Sequence, residues 1–100
     1  MNSKIIMQWD IRSGIDNQYP DFVVNEFAPA MTRMGLRIVE VWYTLYGNAP
    51  QIMVAAVARN EQHLNQALRG QEWQDIHARL LVFVENYQRK IVPDRGRFQL

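Results

Sequence analysis

One stretch of the chain limits the possible folds more than any other, because it reads as a strand hairpin whose first strand is apolar on both faces. The stretch is GLRIVEVWYTLYGNAPQIMVAAVAR, residues 35–59. Its two strands are predicted at 36–45 and 51–59, and the loop with Gly47, Asn48 and Pro50 is too short for a parallel crossover. Regular alternation would place Val39 and Val41 on one face of the first strand and Ile38 and Trp42 on the other. Both faces therefore need an apolar cover.

The segment before the hairpin supplies one strand and one helix. KIIMQWDIR, residues 4–12, alternates an apolar set with a mixed set, which is the period of a strand. YPDFVVNEFAPAMTRM, residues 19–34, repeats its large apolar residues every three or four positions and predicts a helix. Pro29 should kink or split this helix, and Gly35 suits the left-handed residue that ends it.

The segment after the hairpin predicts a long second helix and a short last strand. Asn60 can cap the helix, and Gly70 marks an interruption. We interpret LLVFV, residues 80–84, as part of this helix, which Pro93 then ends, and we predict the last strand at 97–100. The apolar residues follow at helical spacing apart from one wider gap: Leu64, Leu68, Trp73, Ile76, Leu80, Val84, Tyr87 and Ile91.

This order of elements, strand, helix, strand, strand, helix, strand, predicts an α+β protein with a ferredoxin-like βαββαβ fold. We expect one domain spanning residues 1–100, with a four-stranded antiparallel sheet and both helices on one face. The other face of the sheet is then bare, and exposing its apolar groups would forfeit several kcal/mol at about 25 cal/mol per Å². We therefore expect a second copy of the chain to cover it in a homodimer.

Composition excludes several classes of partner and site. Eleven Lys and Arg against ten Asp and Glu give a net charge of +1, so no overall field attracts nucleic acid or an anionic membrane. Cysteine is absent, which excludes disulfides and thiolate chemistry. No apolar run approaches the roughly 20 residues of a membrane span, and the N-terminal segment lacks a signal-peptide core. We expect a cytoplasmic protein.

A polar patch on the mixed face of the first strand is the first candidate site. Gln8, Asp10 and Arg12 share that face, and Glu40 with Trp42 would join them if the mixed faces of the two strands align. A carboxylate enclosed there could have a raised pKa and act as a base. The alternative is an ion pair of Asp10 or Glu40 with Arg12 or Arg37.

The layout of the chain, with MGLRIVEVWYTLYGNAPQIMVAAVAR in its middle and EWQDIHARL on the second helix, resembles the dimeric α+β barrel superfamily. The NIPSNAP-like and antibiotic-biosynthesis-monooxygenase-like branches are the most similar. The resemblance implies that two ferredoxin-like chains close an eight-stranded barrel. It supports many functions, because a fold does not decide an activity.

His77, four residues after Trp73, lies where several monooxygenase-like and haem-degrading members of that superfamily place a histidine. The haem-degrading members also carry a tryptophan earlier on this helix and an asparagine on the first strand. This chain has Ala67 and Leu68 near the former place and Met7 or Gln8 near the latter, so we expect no haem. The alternative for His77 is a partly exposed helix histidine without a role in chemistry.

The remaining titratable residues carry weaker patterns. His63 and His77 lie too far apart for a helical metal motif, so we expect neither a metal nor another cofactor. We expect His63 to face solvent. A basic cluster, Arg89, Lys90, Arg95 and Arg97, is favourable near a helix C-terminus without any ligand.

Two functions remain open from the sequence. The first is a small homodimeric barrel that binds a small apolar or aromatic molecule on its inner face. The second is a cofactor-independent monooxygenase or isomerase acting on a small organic substrate, with Asp10, Glu40 or His77 as the proton acceptor. The expected ligand-binding residues are Gln8, Arg12, Trp42, Tyr43 and Trp73.

Overall fold

A computed structural model describes residues 2–15, 17–44, 47 and 50–94. Four antiparallel strands form one sheet in the order β2-β3-β1-β4, and the helices lie on one of its faces. The α+β, ferredoxin-like prediction is confirmed for the described residues. In chain order the elements are β1 Ser3–Ile11, α1 Tyr19–Phe22, a π-helical turn Val23–Phe27, α2 Ala28–Arg33, β2 Arg37–Tyr43, β3 Ile52–Ala58, α3 Glu61–Arg69, α4 Gln71–Phe83 and β4 Val84–Pro93.

The core lies between the helices and one face of the two central strands. On β1 the apolar set Ile5, Met7 and Trp9 is buried, and Val54 and Ala56 of β3 lie beside Met7 and Ile5. Successive side chains of a strand point to opposite faces, so the intervening residues of β1 and β3 point away from the helices. We call this second, helix-free side the open face.

Pro29 widens the first helix where we predicted a kink or a split. A proline lacks the N–H that would bond four residues back, and its ring crowds that carbonyl. The turn Val23–Phe27 accommodates this by π-helical geometry, with the Ala28 N–H donating to the Val23 carbonyl. Gly35 ends the helical region with φ of +76°, as predicted.

The second helical region differs from the prediction at its C-terminal end. The Asn60 cap is confirmed, because its Oδ1 accepts the His63 N–H at 2.7 Å, and so is the interruption at Gly70. However, α4 ends at Phe83, and residues 84–93 form β4 beside β1. No helix in the described part of the chain is long and apolar enough to cross a membrane.

The predicted helix end at Pro93 was therefore wrong, because Pro93 ends a strand. The apolar residues Val84, Tyr87 and Ile91 step by three and four, so the sequence pattern favoured a helix here. Pairing with β1 makes this segment a strand instead of a helix. Asn86 adopts a positive φ of +58°, which a continuous helix does not allow. The predicted last strand at 97–100 and the turn at Gly96 lie outside the described residues.

A one-residue bulge breaks the alternation that we predicted for β2. Ile38 pairs with Ala56, but Glu40 pairs with Ala55, so Val39 is an extra residue. Glu40 and Trp42 consequently lie on the open face, as the patch hypothesis requires. Val41 lies on the helix side together with Ile38, not opposite to it.

Candidate functional site

The open face carries a shallow cavity of about 350 Å³ that spans the two central strands and β4. Ile6 and Met53 supply its apolar surface. The Gln8 Nε2 donates to the Gln88 Oε1 at 2.9 Å across the β1–β4 pair. The complete lining is Ile6, Gln8, Met53, Gln88, Arg89 and Lys90.

Asp10 is held by neutral hydrogen-bond donors. Its Oδ1 accepts the Gln51 backbone N–H at 2.9 Å, and its Oδ2 accepts from the Asn86 Nδ2 at 3.0 Å. These bonds, first that of Asn86 and then that of Gln51, lower the pKa of Asp10. The expected raised pKa is therefore wrong for Asp10, and within the described residues it makes no ion pair with an arginine.

Glu40 and Arg12 also have partners other than the predicted ones. The Glu40 Oε2 accepts from the Trp42 indole Nε1 at 3.1 Å, and its Oε1 lies 3.8 Å from the Lys4 Nζ. Arg12 donates through Nε to the Leu81 carbonyl at 3.3 Å, and its guanidinium lies 3.7 Å from a carboxylate oxygen of Glu85. Both candidate carboxylates therefore accept hydrogen bonds from side chains or backbone of this chain.

Trp42 and Tyr43 lie on opposite faces of the sheet. Trp42 is in register with Met53 and Gln8 on the open face, and 61% of its surface is exposed. Tyr43 lies on the helix side, where its hydroxyl accepts from the Gln51 side chain at 3.1 Å. The structure therefore brings Gln8 and Trp42 to one face and separates Tyr43 from them.

His77 and Trp73 lie on the helix side of the sheet, away from the polar patch. Their rings stack with centroids 5.2 Å apart, and the Tyr87 ring meets His77 edge-on at 4.7 Å. The Arg89 guanidinium covers the Trp73 ring at 5.7 Å. We call these four residues, Trp73, His77, Tyr87 and Arg89, the aromatic cluster.

The aromatic cluster contains two buried polar atoms without ordinary partners. The His77 Nε2 and the Tyr87 hydroxyl make no hydrogen bond of standard geometry with the described residues. Burial lowers the pKa of His77, and the Arg89 charge lowers it further. Burial raises the pKa of Tyr87, against the opposing effect of Arg89. A neutral imidazole beside a protonated phenol can accept and donate one proton each.

Several residues of these sites were not found by sequence reasoning. Tyr87, Gln88 and Arg89 were assigned to a helix, which hid the strand alternation that places Gln88 on one face and its neighbours on the other. His63 was also misplaced, because its ring nitrogen lies 3.1 Å from the Met34 carbonyl at the end of α2 instead of in solvent. Among the described residues, no group of three or more His, Asp or Glu could hold a metal ion.

Comparison with known proteins identifies the fold. No protein-family model matches the chain, and no curated protein is similar to it in sequence. Solved structures do match. A NIPSNAP family protein from Agrobacterium tumefaciens superposes with a TM-score of 0.68 at 18% identity, covering 92% of this chain and 91% of that one.

Two further structures show the range of proteins that share the fold. A dimeric protein of unknown function with a ferredoxin-like fold, from Bacteroides fragilis, has a TM-score of 0.63 at 16% identity and covers 93% of this chain and 96% of that one. A mutant of SnoaB, a cofactor-independent oxygenase from Streptomyces nogalater, has a TM-score of 0.68 at 11% identity, with coverage of 94% and 93%. The predicted resemblance to NIPSNAP-like and monooxygenase-like proteins is confirmed at the level of fold.

Proposed function

We propose that this chain, as one domain of residues 1–100, forms a homodimer in the cytoplasm and binds a small apolar or aromatic molecule between the two open faces. The observation that carries the proposal is the open face itself, an uncovered side of the sheet with the cavity at its centre. The dimeric neighbour from Bacteroides fragilis, which shares the fold, supports the assembly.

The apolar side chains of the open face favour a second copy as the cover. Trp42 is 61% exposed there, and it lies in register with Met53, which lines the cavity together with Ile6. Large apolar groups that cluster on a surface mark an interaction site. A two-fold axis brings the same patch of both chains together, so one self-complementary patch on each chain suffices.

The cavity has the character of a small-molecule site. Its volume of about 350 Å³ lies within the range of about 300 to 1,000 Å³ that such sites occupy. Ile6 and Met53 provide apolar contact, and the Gln8–Gln88 pair provides a small number of polar groups that orient a ligand. Packing a second sheet over it would enclose the cavity.

Sedimentation equilibrium at micromolar concentration tests the dimer. We expect twice the chain mass of 11.8 kDa. Trp42→Asp should yield a folded monomer, because it places a charge in the interface. Val24→Asp is the matched control, since Val24 is 68% exposed on the helical side, and it should remain dimeric. A monomeric wild-type protein would refute the assembly.

The neutral fluorescent probe N-phenyl-1-naphthylamine tests the cavity. We expect its fluorescence to increase with the wild-type dimer and to fall with Met53→Trp, which fills the cavity. The control Gln66→Trp adds the same side chain to the exposed surface of α3 and should bind the probe like the wild type. Equal binding by both variants would show that the probe lies elsewhere.

A second candidate function, cofactor-independent oxygenation or isomerisation, is favoured by the aromatic cluster. Asp10 and Glu40 accept hydrogen bonds, whereas the His77 Nε2 is buried without an ordinary partner among residues 2–15, 17–44, 47 and 50–94. As a base it would remove a proton from a carbon acid, the carbanion would add to O₂ to form a peroxide anion, and this anion would take the proton back from His77 to give the hydroperoxide. The oxygenase SnoaB shares the fold.

Oxygen uptake with anthrone, a ketone with an acidic ring methylene, tests this candidate. We expect the wild-type protein to accelerate uptake above the buffer rate and His77→Gln to remove the acceleration. His63→Gln is the control histidine variant and should stay active. Acceleration that survives His77→Gln would contradict the assigned base.

A further inference from the structure

We infer that the ligand of the open-face cavity carries an anionic group, a carboxylate or a phenolate, held by Lys90 and Gln88, and an apolar body lying on Ile6 and Met53. This inference rests on the proposed function, because it names the chemical class of the molecule that the enclosed cavity would bind. It follows from the distribution of charge on the open face.

Two other cations of the open face, Lys4 and Arg12, have carboxylate partners, and Arg37 lies on this face at the edge strand β2, outside the cavity lining. Lys4 lies 3.8 Å from Glu40 and 3.8 Å from Asp94, and only 13% of its side chain is exposed. Arg12 lies 3.7 Å from Glu85. These pairs neutralise the charges beyond the two ends of the cavity.

Lys90 differs from these cations. It is paired with Ile6 across the β1–β4 ladder, so its side chain is on the open face at the cavity. Within the described residues it has no carboxylate within 4 Å. The guanidinium of the adjacent Arg89 lies over Trp73 on the helix side, so the two cations do not act at the same place.

If a second open face encloses the cavity, the charge of Lys90 determines which ligands can bind there. Removing water from an unpaired ammonium is unfavourable unless an opposite charge replaces it. The described residues of one chain that line the cavity include no carboxylate. An anionic ligand therefore supplies the missing charge, whereas a neutral ligand of the same shape leaves Lys90 desolvated and unpaired.

The glutamine pair adds a directed donor beside the ammonium. The Gln8 Nε2 donates to the Gln88 Oε1, and the Gln88 amide nitrogen has no acceptor among the described residues, so it can donate to a ligand. Gln88 and Lys90 are two residues apart on one strand and share a face. One oxygen of a ligand carboxylate can accept from the Gln88 amide and the other from the Lys90 ammonium, while the apolar body of the ligand lies against Met53.

Calorimetric titration of the dimer with 2-naphthoate and 2-naphthamide tests the inference, because the two probes have nearly the same size and differ in charge. We expect naphthoate to bind at least about tenfold more tightly, the ratio expected of one hydrogen bond to a charged group. Lys90→Gln should bring the two affinities together, and Lys90→Arg should preserve the preference. Arg69→Gln removes one positive charge from α3 and should leave the ratio unchanged.

The outcomes separate this inference from the proposed function. If N-phenyl-1-naphthylamine binds in the cavity but naphthoate is not preferred over naphthamide, the inference of an anionic ligand is wrong, whereas the proposal of a small-molecule site is retained. A preference that survives Lys90→Gln also overturns the inference. If the wild-type protein is monomeric and does not bind the neutral probe, the proposed function has failed.

Discussion

Asp10→Asn tests whether the carboxylate of Asp10 is a structural acceptor. The substitution preserves the size of the side chain and exchanges one acceptor oxygen for an NH₂ group. The amide oxygen can still accept the Gln51 N–H, but its NH₂ group would then face the NH₂ group of Asn86. One hydrogen bond is lost, and the other no longer involves a charge.

The expected destabilisation follows from these two bonds. A hydrogen bond to a charged group contributes about 1.5 to 3 kcal/mol and a neutral one about 0.5 to 1.5 kcal/mol. The site is partly exposed, so solvent screens part of the difference. We expect the free energy of unfolding to fall by about 1 to 2 kcal/mol, less than the roughly 3 to 5 kcal/mol that follows the breaking of a buried ion pair.

Urea unfolding at a fixed chain concentration measures this difference, with Asp75→Asn on the exposed surface of α4 as the control. Because the folded-state pKa of Asp10 is lowered, its stabilisation is complete above the unfolded-state pKa near 4 and is lost as pH falls through the folded-state value. The gap between wild type and variant should therefore narrow in acid. Equal or greater stability of Asp10→Asn at pH 7 would refute this reasoning and mark Asp10 as a functional carboxylate.

Three further predictions concern other parts of the molecule. Burial and then Arg89 lower the pKa of His77, so folding favours its neutral form, and the free energy of unfolding should decline as pH falls below about 6.5. His77→Phe should reduce this decline in thermal melts. If the variant had the same pH profile as the wild type, the assignment to His77 would be contradicted. Gly35→Ala should destabilise the protein more than Gly14→Ala. Both glycines have positive φ, but of the two only Gly35 would place a Cβ against another side chain, 2.6 Å from the His63 Nε2. Equal losses of unfolding free energy in the two variants would show that the His63 ring moves aside freely. The purified protein should carry neither haem nor zinc, and a Soret band or stoichiometric zinc would overturn this.

The sequence predicted the fold because the strongest local signals agree with the final packing. The alternation of β1 and the Asn60 and Gly35 helix ends are local features, and each is confirmed. Residues 84–93 were assigned to the helix because Val84, Tyr87 and Ile91 follow at the three- and four-residue spacing of a helix. Only pairing with the distant β1 selects the strand.

The candidate site was less predictable, because its geometry depends on irregularities. The bulge at Val39 moves Val41 to the helix side, and nothing in the local residue pattern marks the extra residue. The partners of Asp10 are Gln51, the residue before β3, and Asn86, which is part of the misassigned segment. The sequence thus placed Gln8, Asp10, Glu40 and Trp42 together on one face, but it did not place Gln88 and Lys90 beside them.

The central place of β1 in the sheet affects the order in which the chain can fold during synthesis. The residues of β1 pair on one side with β3 and on the other with β4. Ser3 can therefore pair with Pro93, and Ile11 with Val84, only after β4 has left the ribosome. Until then the β1–β3 pair exposes an unpaired apolar edge, and closing such long loops is slow. Chaperone binding to the nascent chain should therefore be strongest after β3 has emerged and should end once β4 follows it.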